Sequence, residues 1–424
     1  MLTAQEKVLL AGLDEGRMVA LCQRLVRIPT VNPYSGDKAP SGEWAGLLAV
    51  EEVFKAMGAT LSRIPCDDEV FTRYHVLAPH GRQVEKRHNV VAEFVFGDGQ
   101  GPTFLLDAHI DTVAVDGYDG DPFSGELRDD YVHGRGTTDD KGGITAMIEA
   151  ARMLLACPEG LRGKLVCCVV TDEECDGAGR GSLSCIAHLP KPDAAMVIDG
   201  DCHCLQNGCN GVVTARVTVP GRSGHSAYGG LNAIEQAFKL LPALERFRTL
   251  RGDQPGLFNF GVFQAGDHPA NVPASALLAF NIKTSLEDMR AAQERDGIDS
   301  GVLVRELFER CLAEAVAEEE TLRELPPTVA WVKDVPATSS MAVDPDFIAF
   351  AQSAYLDATG AAPTIKPLGG WGDLAHFLRA GIPTVGIGAG TLGVGHTASE
   401  RVAVADMVKT AKAVALIAAR FLSA

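Results

Sequence analysis

The sequence predicts an α/β domain whose central sheet is flanked by helices, interrupted by a smaller α+β domain. Three observations predict it. Short apolar runs alternate with one-sided helical patterns, each run ends in polar or glycine-rich sequence, and the stretch from about Gly211 to Val335 follows a different element order. Arg17–Ile28 and Glu43–Met57 come first, with apolar residues three and four apart, as on a helix with one buried face. Thr103–Leu106 is a short run of the kind buried on both faces of a sheet, and it leads into DAHIDT. The helix pattern Gly142–Leu155 follows, then a strand over Lys164–Val170 ending in TDEECDG, and another over Ala194–Ile198 ending in DGDCH. After the different stretch come a strand at Thr384–Ile387, the glycine-rich GAGTLGVGH and a helix over Val402–Ala419. In α/β folds ligands gather beyond the carboxyl ends of strands, so these strand ends are where chemistry is expected.

The different stretch predicts strand Val212–Val219, helix Ala233–Leu250, strands Leu257–Phe263 and Ala276–Lys283, helix Val302–Glu320 and strand Thr328–Val332. This βαββαβ order is the split, ferredoxin-like arrangement, complete in itself. Lying between two halves of an α/β pattern, it predicts an inserted domain over 211–336 and a discontinuous first domain over 1–210 and 337–424. Pro326-Pro327 and the turn at Val335–Ser340 mark the exit.

Composition bounds the function. Of 424 residues 46% are hydrophobic and 22% charged, enough to bury a large core. Acidic residues outnumber basic ones 55 to 38, for a formal charge of −17, which argues against non-specific nucleic-acid or anionic-membrane partners. The start MLTAQEKVLLAGLDEGRMV lacks the cationic and apolar regions of a signal peptide, and no apolar run reaches bilayer-spanning length. Eleven cysteines without framework spacing suit free thiols in a reducing cytoplasm. Cytoplasmic location is the expectation.

Chemistry-bearing residues sit at the strand ends. His109-Ile110-Asp111 follows Thr103–Leu106, and in extended chain i and i+2 point the same way, so Asp111 can orient His109. Gly134-Arg135-Gly136-Thr137-Thr138-Asp139-Asp140-Lys141-Gly142-Gly143 opens a helix. A phosphate cradle is the rival reading there, but two aspartates would repel phosphate and suit a cation. Thr171-Asp172-Glu173-Glu174 closes a strand with adjacent glutamates, one free to bind metal while the other moves a proton. Asp199 closes the next strand, and His396 lies in GHTASE. Two histidines with several carboxylates form a nitrogen and oxygen donor set for zinc or a similar divalent ion.

In this order the motifs RHNVVAEF, LLDAHIDTV, DPFSGE, GRGTTDDKGG, TDEE, GRSGHSA and GHTASE resemble the two-zinc metallopeptidase family of acetylornithine deacetylase, succinyl-diaminopimelate desuccinylase, aminoacylase and glutamate carboxypeptidase. The resemblance implies a zinc-exopeptidase-like catalytic domain with a mixed sheet, and an inserted lid that also dimerises. It implies two divalent ions per chain, zinc first with cobalt or manganese as alternatives. His109 and Asp199 would hold the first ion, with Asp111 behind His109; Glu174 and His396 would hold the second; Asp139 would bridge both. Glu173 would be the general base. His225 of GRSGHSA, with Asn271 beside it, would serve as oxyanion donor to the opposite subunit of a homodimer. A cis peptide bond at Asp139–Asp140 is also implied. Lys283 stands where relatives often carry arginine for the substrate carboxylate, and in the loop Gly369-Gly370-Trp371-Gly372-Asp373, whose Gly370 and Trp371 would contact substrate, Trp371 stands where they often carry serine or threonine. Both departures bear on substrate choice.

The implied reaction is hydrolysis of the amide of an N-acyl amino acid. A dipeptidase or carboxypeptidase using the same ions is the near alternative, and a non-catalytic binding protein on this fold the remote one. Several residues have blander readings. Cys202-His203-Cys204 with Cys209 fits no regular zinc finger, Cys167-Cys168 and Cys22 suit the core, and Glu314–Glu320 suits a solvated helix face. His75, His80 and His88 lie in a polar insertion and are expected to titrate in solvent.

Overall fold

The computed structural model describes residues 1–36, 42–83, 85–252, 256–391 and 393–423, so Leu392 of the GAGTLGVGH stretch falls outside them. The chain divides into two compact units, one of Met1–His75, His80–Cys209 and Thr338–Ala424, the other of Val76–Pro79 and Asn210–Ala337. The first unit supplies strands β1 (Thr60–Pro65), β2 (His88–Phe96), β3 (Thr103–His109), β4 (Gly163–Val170), β5 (Ala194–Val197) and β6 (Cys204–Cys209). The second supplies β7 (Gly211–Pro220), β8 (Phe258–Ala265), β9 (Ser275–Thr284) and β10 (Thr328–Val335). The first unit resumes with β11 (Thr338–Ser339), β12 (Thr364–Leu368) and β13 (Thr384–Gly386).

The main sheet runs β1-β2-β4-β3-β5-β13-β6-β11, with β12 beside β6. Its centre, β4-β3-β5-β13, is parallel, and the β1-β2-β4 side is antiparallel, so the sheet is mixed as expected. Along β3 and β4 alternate side chains enter opposite cores. Phe104, Leu106, Leu165 and Cys167 pack with helices Gly142–Ala156 and Val404–Leu422; Leu105, Val166 and Cys168 pack with helices Arg180–His188 and Leu374–Arg379. Burial on both faces is why these strands read as unbroken apolar runs. Because β3, β4 and β5 are parallel, their carboxyl ends open at one edge, bringing His109, Glu173-Glu174 and Asp199 together.

The second unit is an antiparallel sheet, β8-β9-β7-β10, with helices around a core that includes Phe247, Phe280 and Phe308. Two departures from the expected elements have local causes. The helix expected over Ala233–Leu250 is two helices, Ala233–Phe238 and Leu241–Arg251, because Pro242 in the second has no N–H for the Phe238 carbonyl. A further helix, Leu286–Asp296, starts at a reciprocal cap between Ser285 and Asp288 and buries only Met289 and Ala292, too few to mark it by periodicity. Val76–Pro79 joins this unit because Leu77 pairs with Asp334 of β10.

His88 corrects an expectation. It is buried, lies edge-on to Trp44 with ring centroids 5.2 Å apart, and its Nε2 is 3.1 Å from Glu51. Burial pulls its pKa down, so it is a packed histidine and not a solvent one. Cys22, Cys167 and Cys168 are buried core residues.

Candidate active site

The first unit brings seven of the named residues to one edge. His109, the last residue of β3, turns Nε2 to within 2.9 Å of Asp139 Oδ1. Its Nδ1 lies 3.0 Å from the backbone carbonyl of Asp111 and 3.6 Å from that residue's carboxylate. The orienting contact is therefore mainly backbone. The Asp111 carboxylate is occupied elsewhere, accepting the N–H groups of Glu173 at 3.2 Å and Glu174 at 3.1 Å and the Asn32 amide at 2.8 Å. Asp111 thus stitches the ends of β3 and β4 together.

Asp139 lies on the turn before helix Gly142–Ala156, and the Asp139–Asp140 peptide is cis. Its other oxygen, Oδ2, is 3.1 Å from His396 Nε2, which also lies 2.7 Å from Glu174 Oε1. Two donor clusters result, His109–Asp139–Asp199 and Asp139–Glu174–His396, each with ligand atoms within 4.8 Å of one another and sharing Asp139. Gly143 permits this turn, since a Cβ there would come within 1.9 Å of Asp140 Oδ1 and 2.2 Å of the Ile198 carbonyl.

The electrostatics call for added positive charge. Burial holds the Glu173 and Glu174 carboxyls above the usual range, and burial with the Asp139 charge pushes Asp199 up to about 7. The histidines bend the other way. Glu174 first, then Asp139, raise His396 to about 11. Burial pulls His109 down, but Asp111, Asp139 and Glu173 together outweigh it and raise its pKa well above the usual imidazole value. Carboxylates that draw protons onto both imidazoles would be satisfied by divalent cations, and the donors, imidazole nitrogen and carboxylate oxygen, suit zinc and its neighbours. The residues present fit a pair of such ions.

Sequence reading missed the supports. Glu400, fully buried, accepts from the backbone of Thr138 at 3.0 Å and Asp139 at 3.2 Å, and pairs with Arg135 at 2.6 Å. It was visible as the last residue of GHTASE, but only folding shows that it braces the Asp139 turn. Replacing Glu400 with Ala strands Arg135, itself buried, and is expected to cost about 3–5 kcal/mol, measured by denaturant unfolding. A change below about 1 kcal/mol would show that the pair is not what holds this turn.

The remaining candidates fall in two places. Trp371 sits edge-on to His376, ring centroids 5.5 Å apart, while Gly370 is exposed; both belong to the loop whose Gly372, given a Cβ, would lie 3.7 Å from Asp199 Oδ2. His225, Asn271 and Lys283 belong to the second unit. There His225 pairs in register with Asn271, and both line a cavity of about 560 Å³ with Ser223 and Asp267. Lys283 is half-buried on β9. Around CHC, the cysteines Cys202, Cys204 and Cys209 are buried; Asp201, Cys202 and His203 bring ligand atoms within 4.8 Å of one another, and His203 also lies 2.9 Å from Lys409.

The model of peptidase family M20/M25/M40 matches residues 105–420. Succinyl-diaminopimelate desuccinylase of Rhizorhabdus wittichii is 30% identical over 407 residues, covering 91% of this chain and 93% of that one. N-formyl-4-amino-5-aminomethyl-2-methylpyrimidine deformylase of Halalkalibacterium halodurans is 26% identical, covering 95% and 94%. Among solved structures, the dipeptidase Dug1p of Saccharomyces cerevisiae shares the fold with a TM-score of 0.76 at 16% identity over 99% of both chains. Human carnosine dipeptidase 1 does so at 0.74 and 15%, over 99% of this chain and all of that one. With its strand-end donor clusters and a family model spanning most of its length, the chain belongs to peptidase family M20/M25/M40 and is a metal-dependent hydrolase of amide bonds.

Proposed function

We propose that the protein removes the acyl group from an N-acyl amino acid, releasing a carboxylic acid and a free amine. The observation that carries this is the pair of donor clusters sharing Asp139, with Glu173 buried beside them. His109, Asp139 and Asp199 would hold one divalent ion and Asp139, Glu174 and His396 the other, zinc being the first choice for this donor set. Bound ions of this kind supply Lewis acidity to a water and to an amide carbonyl. The chain's own residues do the rest. Glu173 accepts the proton of the attacking water and returns it to the leaving nitrogen, a task favoured by a carboxyl whose pKa burial has already raised. Asp111 fixes the backbone of Glu173 and the ring of His109, so base and ligand keep their spacing. His225, with Asn271, would donate to the developing oxyanion, and Lys283 would receive the substrate carboxylate as a point charge. Gly370 and Trp371, on the loop beside Asp199, would contact the substrate as well.

The relatives named as a desuccinylase and a deformylase support acyl removal over peptide cleavage. A panel of N-succinyl, N-acetyl and N-formyl amino acids beside dipeptides, with zinc-loaded protein, is the test. Amine release from the acylated substrates is expected; turnover confined to dipeptides would transfer the site to the peptidase reading, and turnover of none would favour the binding-protein reading.

A homodimer through the second unit, working in the cytoplasm, completes the proposal. The eleven cysteines form no disulfide among the described residues, which suits a reducing compartment, and no described helix is long and apolar enough to cross a membrane. If His225 serves the opposite subunit, mixing inactive His225→Ala and Glu173→Gln chains restores activity, because one site of each mixed dimer then has its own Glu173 and a borrowed His225. Chains that exchange and remain inactive would confine His225 to its own subunit.

A further inference from the structure

Residues 66–83 and 85–87 are tied as a strap close to the loop that carries Glu173. Arg82 donates to Asp172 Oδ1 at 2.9 Å and to the Cys175 carbonyl, and Arg87 donates to the same Oδ1 at 2.8 Å. Arg180 holds Asp172 Oδ2 and reaches back to Asp68 of the strap at 2.8 Å, while the Gly81 N–H closes onto Asp68 at 2.6 Å. Arg82 also lies over the Tyr34 ring, 4.4 Å from its centroid. The charges balance: Arg82, Arg87 and Arg180 face Asp172, Glu43 and Asp68, and of these only Asp68 is partly exposed.

Asp172 needs this hold. Its φ is +65°, in the left-handed region that a non-glycine residue occupies at a cost of order 1–3 kcal/mol. That turn is what presents the next two N–H groups, those of Glu173 and Glu174, to Asp111.

We propose that Arg82 is a positioning residue for Glu173, acting through its grip on Asp172. The proposal rests on the reading of Glu173 as general base. Arg82 touches neither substrate nor reacting atoms; it acts through the Asp172 turn.

Two changes test it. Arg82→Ala removes the grip and is expected to lower kcat by roughly 10–100-fold, with KM and metal content unchanged, as for loss of an outer-shell partner. It should also speed amide hydrogen exchange at Glu173 and Glu174, a readout that needs no substrate. Arg82→Lys should recover part of the loss, and it carries the test if the alanine variant fails to fold. Wild-type exchange and kcat in Arg82→Ala, or no recovery in Arg82→Lys, would overturn the positioning role. Failure of the base reading is separately visible, as full activity in Glu173→Gln.

Discussion

Glu173→Gln is expected to lower kcat by at least about 10²-fold while both metal ions are retained. The substitution keeps the size of the side chain and its hydrogen-bonding capacity but removes the ability to accept a proton. Glu173 stands outside both donor clusters, whereas its neighbour Glu174 lies 2.7 Å from His396 within one of them. The two glutamates share one anchor, their adjacent N–H groups on Asp111, so the tasks proposed for them would divide by where the side chains go and not by how the backbone is held. Elemental analysis beside steady-state kinetics separates the roles. Loss of an ion with normal activity per remaining metal would exchange the assignments of Glu173 and Glu174.

Asp139→Ala is expected to remove both ions and with them all measurable turnover. Its two oxygens face the two histidines, Oδ1 toward His109 at 2.9 Å and Oδ2 toward His396 at 3.1 Å, and it is the one member common to both clusters. His396→Ala should weaken mainly one ion, because only one cluster contains it. The contrast is read by metal content after dialysis against buffer of fixed free zinc. An Asp139→Ala protein that keeps two ions would dissolve the bridging assignment. Metal binding should also stiffen this turn: the Asp139 charge raises the pKa values of Asp199 and Glu174 beside it, and a divalent charge placed among them offsets that repulsion.

Much of the candidate site's edge was legible because its signals are local. A buried parallel strand is an unbroken apolar run, and its end is marked by the first polar residues, so His109, Glu173-Glu174 and Asp199 could be found by reading strand by strand. The turn that carries Asp139 was legible from its glycines and paired acids. The braces were not. Arg135 and Glu400 lie 265 residues apart, and nothing near either one in the sequence names the other. The arginine cluster around Asp172 draws on residues 43, 68, 82, 87 and 180, and in sequence these look like ordinary surface charges.

The second unit divides in the same way. Its alternating strands were readable from their pattern, whereas helix Leu286–Asp296 buries too little to show a period, and the excursion of Val76–Pro79 has no pattern at all. His88 was misread for a related reason: a histidine among polar residues looks solvated until Trp44 and Glu51 close over it.

By itself, then, the sequence determined the α/β class, the family and the order of the residues at the strand ends. Those follow from periodicity, turn chemistry and residue type, which act over a few positions. Only the tertiary structure decided that Asp111 offers His109 its carbonyl and the glutamates its carboxylate, that Glu400 braces the Asp139 turn, and that Arg82, Arg87 and Arg180 converge on Asp172. These are pairings of buried polar groups. Each must find a partner once water is gone, and which partner is nearest depends on the whole fold.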